Sequence, residues 1–137
     1  MIGIVVVGHT PWASAVVAVT RHIAPDAALP VAIDVDSDAD PLGERTRIGR
    51  AIAGAAGAEG VLVCTDIFGG TPTNLCLPFL DPGRIEIVSG INLPMVLKLA
   101  HEGAARPVAE VVEFIQRYGQ KHIVIASRVL EGQIGGA

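Results

Sequence analysis

No basic cluster occurs anywhere in this 137-residue sequence: 10 Lys and Arg stand against 14 Asp and Glu, for a formal net charge of −4. Neither nucleic acid nor an anionic membrane surface is therefore an expected partner through bulk electrostatics. Long apolar runs are missing as well. No stretch reaches the roughly 18 residues of a membrane span, and Ile2 to Val7 is shorter than a secretory h-region with its cleavage site. Direct membrane insertion is not expected, and a cytoplasmic location is. Cysteine is scarce: Cys64, inside an apolar run, and Cys76, on an expected helix, make up the 2 in the chain and show no metal-ligand spacing. Both read as structural thiols of a reducing compartment. No metal or cofactor is called for. Repeats, low-complexity segments and linkers are absent too, and only the tail Gly135-Gly136-Ala137 reads as frayed.

What is present in quantity is apolar character, at 50% of residues, enough for one domain over 1–137 with a real core. Short β-branched runs recur: IGIVVV (2–7), VAIDV (31–35), GVLVC (60–64), RIEIV (84–88) and HIVIA (122–126). Between them, segments near 11–24, 40–56, 72–80, 93–102 and 107–118 carry helical periodicity, with Gly or Pro at most junctions. Ile2–Val7 and Val61–Cys64 are apolar at every position, which suits central strands covered on both faces. Ile85–Val88 alternates with Arg84 and Glu86, as expected nearer an edge. The fold class expected is α/β, doubly wound: a mostly parallel sheet of about five strands flanked by helices. The last run, HIVIA, either closes the sheet or crosses to a second subunit.

In such a fold chemistry collects beyond the carboxyl ends of the strands. Three loops qualify. Gly8-His9-Thr10-Pro11 follows the first strand, with Thr10 as an expected helix cap and Pro11 as the first helical residue. Thr65 to Asn74, containing Asp66, Phe68, Gly69, Gly70 and Thr71-Pro72, follows the third. Gly90 to Met95 follows the fourth, with Asn92 as a cap and Pro94 in the first turn. Each presents helix-start amides suited to an oxyanion. A lone histidine is more often structural than catalytic, but His9 stands at a strand end against a helix N-terminus, where the dipole disfavours imidazolium and favours a neutral nucleophile. Such a nucleophile needs its other ring nitrogen held by an acceptor, and Asp66 is the candidate. The alternative for Asp66 is a cap of the Gly69-Gly70 turn, and for the glycines a tight turn alone. The residues by themselves indicate a histidine site that handles an anion.

Those residues carry a resemblance. G-H after the first strand, D-I-F-G-G-T-P-T-N after the third and G-I-N-L-P-M after the fourth, in this order and spacing, resemble the IIA component of the mannose-type family of the bacterial sugar phosphotransferase system. The resemblance covers nearly the whole chain. It implies that His9 accepts a phosphoryl group from the phosphocarrier protein HPr and passes it to a IIB component for sugar uptake, with Asp66 orienting the ring. It implies phosphate contacts at Thr71, to which Thr10 and Gly70 are added as neighbours, and a homodimer that exchanges a last, antiparallel strand. The family commonly has Gly directly after the histidine, where this chain has Thr10. That residue either narrows access for the donor or adds a phosphate contact through its hydroxyl.

The remaining side chains have plainer readings. His22, His101 and His122 read as surface or capping residues. Trp12 and Phe68, in the two site loops, form either a rim for a docking partner or loop packing, and Asn92 and Met95 complete the expected docking set. Asp34 to Asp40 reads as a solvated turn with Asp40-Pro41 opening a helix, in preference to a metal site. Against the phosphocarrier reading stand a regulatory module switched by His9 phosphorylation and a non-covalent anion-binding domain.

Overall fold

The computed structural model describes residues 1–102 and 105–135. Four strands, β1 (Gly3–His9), β2 (Val31–Val35), β3 (Val61–Thr65) and β4 (Ile85–Ser89), form an all-parallel sheet in the order β2-β1-β3-β4. The register aligns Val7 of β1 with Ile33 of β2 and with Thr65 of β3. Val5, Val6 and Val7 are fully buried, as are Leu62, Val63 and Cys64, because helices cover both faces of the two central strands. β4 is an edge strand, as its alternation indicates, and all five of its residues are half-buried.

The helices divide between the faces. On one side α1 (Trp12–Ile23), α4 (Leu93–Glu102) and α5 (Val108–Lys121) pack Ala13, Val17, Met95, Leu99, Val111 and Ile115 against Val6 and Leu62. On the other, α2 (Pro41–Ala55) and α3 (Thr71–Cys76), which continues into a 3-10 turn over Leu77–Phe79, pack Ile48, Ile52, Leu75 and Cys76 against Val5, Val7 and Val63. Both cysteines are buried and free, and burial pushes each thiol up to about 12, which makes them inert packing groups.

Helix α2 starts as expected, with Pro41 in its first turn and the Asp40 carboxylate accepting from the Gly43 N–H at 3.1 Å. The start of α1 differs from expectation. Thr10 does not cap it, and Pro11 precedes the helix rather than opening it. The Thr10 N–H is still engaged in the sheet, donating to the Val35 carbonyl at 3.2 Å, and the first helical residue is Trp12. The cap comes from another strand: Asp34 of β2 accepts from the Ser14 N–H at 3.1 Å.

The fifth strand expected at 122–126 is not formed. Helix α5 runs on to Lys121, His122 closes it with its amide, and α6 (Ala126–Gly135) begins four residues later. Ile123, Val124 and Ile125 are 77%, 64% and 56% exposed. A β-branched run has strand propensity only against a partner ladder, and nothing among the described residues pairs with it. Closure of the sheet by the chain's own last segment is thus overturned. Of the tail expected to fray, Gly135 ends α6, and Gly136 and Ala137 lie outside the described residues.

Candidate active site

The strand order reverses direction between β1 and β3, so the crevice at their carboxyl ends is the topological switch point where an open α/β sheet offers a site. His9 is the last residue of β1, and Asp66 follows the last residue of β3. Nδ1 of His9 lies 2.8 Å from Oδ2 of Asp66, and the His9 backbone N–H donates to the same oxygen at 2.8 Å. The other carboxylate oxygen, Oδ1, accepts from the Ile67 N–H at 2.9 Å. Burial works to raise the Asp66 pKa. The His9 amide, the His9 ring and the Ile67 amide together outweigh it, so the carboxyl is held below the ordinary range. An ionised carboxylate only accepts, so Nδ1 carries the ring proton and Nε2 presents its lone pair. The histidine side chain is 46% exposed against 12% for the aspartate. The ring is open outward while its orienting group is sheltered.

Two glycines make this approach feasible. A β-carbon on Gly8 would stand 2.5 Å from Cε3 of Trp12 and 3.2 Å from the Asp66 carboxyl carbon, so only glycine admits both side chains. A β-carbon on Gly70 would stand 2.8 Å from Cε1 of His9 and 3.4 Å from Nε2. Gly70 therefore keeps clear the space in front of Nε2. The amides of Gly70 and Thr71 donate to no acceptor among the described residues, and Thr71 is exposed at the first position of α3. Thr10, whose amide is spent on Val35, has only its hydroxyl to offer.

The structure separates the other expected site residues. Phe68 stands out from the loop at 72% exposure. Trp12 is half-buried and packs on the core beneath Gly8, with part of its surface left open. Met95 does not belong to a docking surface: it is 4% exposed and packs within the core cluster beside Gly119. Asn92 is also committed internally, accepting from the Met95 N–H at 3.1 Å and donating Nδ2–H to the Gly119 carbonyl at 3.1 Å. It is the expected cap, and it ties α4 to α5. His22 and His101 are exposed, and His122 stacks on Tyr118. A cleft of about 690 Å³, lined by Ile52, Phe79 and Arg84, opens near the end of α2 and the start of β3, away from this pair.

Sequence reasoning missed a set of hydroxyls below the loop. Thr73 Oγ1 lies 2.6 Å from the Ile67 carbonyl and 2.8 Å from Thr65 Oγ1, which in turn lies 2.5 Å from Ser89 Oγ. A polar residue closing both β3 and β4, Thr65 and Ser89, is the one signal that pointed there.

Residues 3–116 match the family model EIIA-man, described as the PTS system fructose IIA component. The PTS system fructose-specific EIIA component of Bacillus subtilis (strain 168) is 29% identical over 72 residues, 52% of this chain. That match spans about half, 49%, of the relative's own length. Among solved structures, phosphotransferase system component EIIA from Streptococcus agalactiae superposes with a TM-score of 0.80 at 23% identity, covering 93% of this chain and 99% of that one. The mannose/sorbose-specific IIA subunit from Enterococcus faecalis gives 0.78 at 20% identity, over 90% and 93%. Those two likenesses establish a shared fold. With the model matching 114 consecutive positions that include both His9 and Asp66, the chain belongs to the EIIA-man family of phosphotransferase system IIA components.

Proposed function

We propose that the chain is a phosphocarrier of the sugar phosphotransferase system in which His9 accepts a phosphoryl group from phospho-HPr and hands it to a IIB component. One observation carries the reading: Asp66 holds Nδ1 at 2.8 Å, so the lone pair of Nε2 faces outward over Gly70. In the transfer, that lone pair forms the new N–P bond as the P–N bond of the donor phosphohistidine breaks, and the donor nitrogen takes back the electron pair. The accepting ring keeps its Nδ1 proton and gains positive character, which the Asp66 carboxylate offsets. No proton needs to move. The chemistry is positioning and charge compensation, with the Gly70 and Thr71 amides and the hydroxyls of Thr71 and Thr10 placed to receive the phosphoryl oxygens. Phe68 supplies an apolar contact for the docking partner.

The direct test is incubation with phospho-HPr followed by intact-mass analysis under alkaline conditions. The wild-type chain is expected to gain one phosphoryl group and His9→Ala none; equal labelling of the variant overturns the reading. Onward transfer to a IIB component separates the carrier from a regulatory phosphoprotein, which would hold its phosphoryl group and change its partner instead.

We further propose that two chains associate through the apolar segment 122–125, with that segment from one chain set beside the open edge of β4 in the other. Its support is the pairing of an unfilled sheet edge with three exposed β-branched residues.

A further inference from the structure

Among the described residues three polar side chains are fully buried: Thr20, Thr65 and Thr73. Thr20 bonds within its own helix, to the Val16 carbonyl. The other two lie directly beneath the loop that carries Asp66. Burying a hydroxyl is costly unless it is paired, and an apolar side chain would fill either place without that cost. Their pairing has a direction. A carbonyl only accepts, so the single proton of Thr73 goes to the Ile67 carbonyl at 2.6 Å, while the contacts through Thr65 to Ser89 share the remaining hydroxyl protons. Residue 67 is thereby held at both of its backbone groups. Its carbonyl is tied to α3 and the ends of β3 and β4, and its N–H fixes Oδ1 of Asp66.

We propose that Thr73 is a positioning residue for His9. Through the Ile67 peptide and the Thr65–Ser89 hydroxyls it fixes the Asp66 carboxylate in the one orientation that keeps the ring proton on Nδ1. The inference rests on the phosphocarrier reading for its consequence, a rate of phosphoryl acceptance, while its geometric claim concerns the ring alone. Thr73→Val keeps the volume of the buried side chain and removes only its donor to the Ile67 carbonyl, so the fold is expected to survive, which a thermal melt checks.

The experiment compares wild type, Thr73→Val and Thr73→Ser by two readouts. The ¹⁵N signals of the His9 ring show which nitrogen carries the proton, and timed labelling with phospho-HPr gives the rate. Thr73→Val is expected to mix the two tautomers and to slow acceptance by roughly ten- to a hundred-fold, the scale of a small misplacement of a reacting group. Thr73→Ser is expected to restore both. An unchanged tautomer and rate in Thr73→Val, or a Thr73→Ser protein as impaired as Thr73→Val, overturns the proposal. Should Thr73→Val fail to fold, Ser89→Ala removes the far end of the same chain of hydroxyls and must shift the tautomer in the same direction; an unshifted ring overturns it. A wild-type protein that accepts no phosphoryl group defeats the phosphocarrier reading, and the tautomer comparison still decides this one.

Discussion

At the scale of single residues the account turns on the carboxylate of Asp66 and the bare α-carbon of Gly70. The folded-state pKa of Asp66 lies below its ordinary 3.8. A depressed carboxylate contributes stability that is present above the unfolded value and lost as pH falls through the folded one. Asp66→Asn is therefore expected to melt below wild type at neutral pH, by about 1 kcal/mol for the weakened charge-assisted bonds. The two melting temperatures should then converge as pH drops below about 4. The same variant is expected to accept phosphoryl groups more slowly, since an amide does not offset the developing imidazolium charge. Thermal melts across pH and timed labelling check both. Gly70 has φ −83° and ψ 164°, a conformation open to any residue, so Gly70→Ala tests space alone. Its methyl would displace the His9 ring, and acceptance is expected to fall roughly ten-fold or more with little loss in melting temperature. Near wild-type labelling of Gly70→Ala would show that the space before Nε2 is not used.

At the scale of elements, the register of β2 against β1 does more than build the sheet. It brings Asp34 under the start of α1, where its carboxylate takes the Ser14 amide. Asp34→Ala is expected to cost about 1 kcal/mol, the usual worth of a helix cap, whereas Asp36→Ala, at an exposed position in the following turn, should be close to neutral. Denaturant melts distinguish them, and equal losses would contradict the capping role. This cap also shows where the sequence stops being legible. The four strands, the five helices before Lys121 and the His9–Asp66 pair follow from local periodicity, turn residues and the rule that sites lie at strand ends. The cap of α1 comes from twenty residues away, and the hydroxyls of Thr65, Thr73 and Ser89 meet only through strand register, announced by no more than a polar residue at the ends of β3 and β4. Met95 fails as a docking residue for the matching reason: packing of α5 on α4 encloses it, while half-buried Asn92 spends its side chain on the Met95 amide and the Gly119 carbonyl. The run 122–126 was misleading because propensity was the only evidence for it.

At the scale of the whole molecule, the groups that meet His9 among the described residues come from β1, β3, α3 and their loops. Association and chemistry are thus separable. Light scattering is expected to give about twice the 14.1 kDa of one chain, and Ile123→Glu with Ile125→Glu should yield monomers that still accept phosphoryl groups. A wild-type protein that is monomeric at all concentrations would contradict the association and leave the site untouched. The most direct test of the central claim, that Asp66 makes Nε2 of His9 the phosphoryl acceptor, is a ¹⁵N–³¹P correlation spectrum of the phosphorylated full-length chain. The account predicts one phosphorus nucleus coupled to Nε2 of His9, with Nδ1 still bearing its proton. A phosphoryl group on Nδ1, or on any residue other than His9, would contradict it.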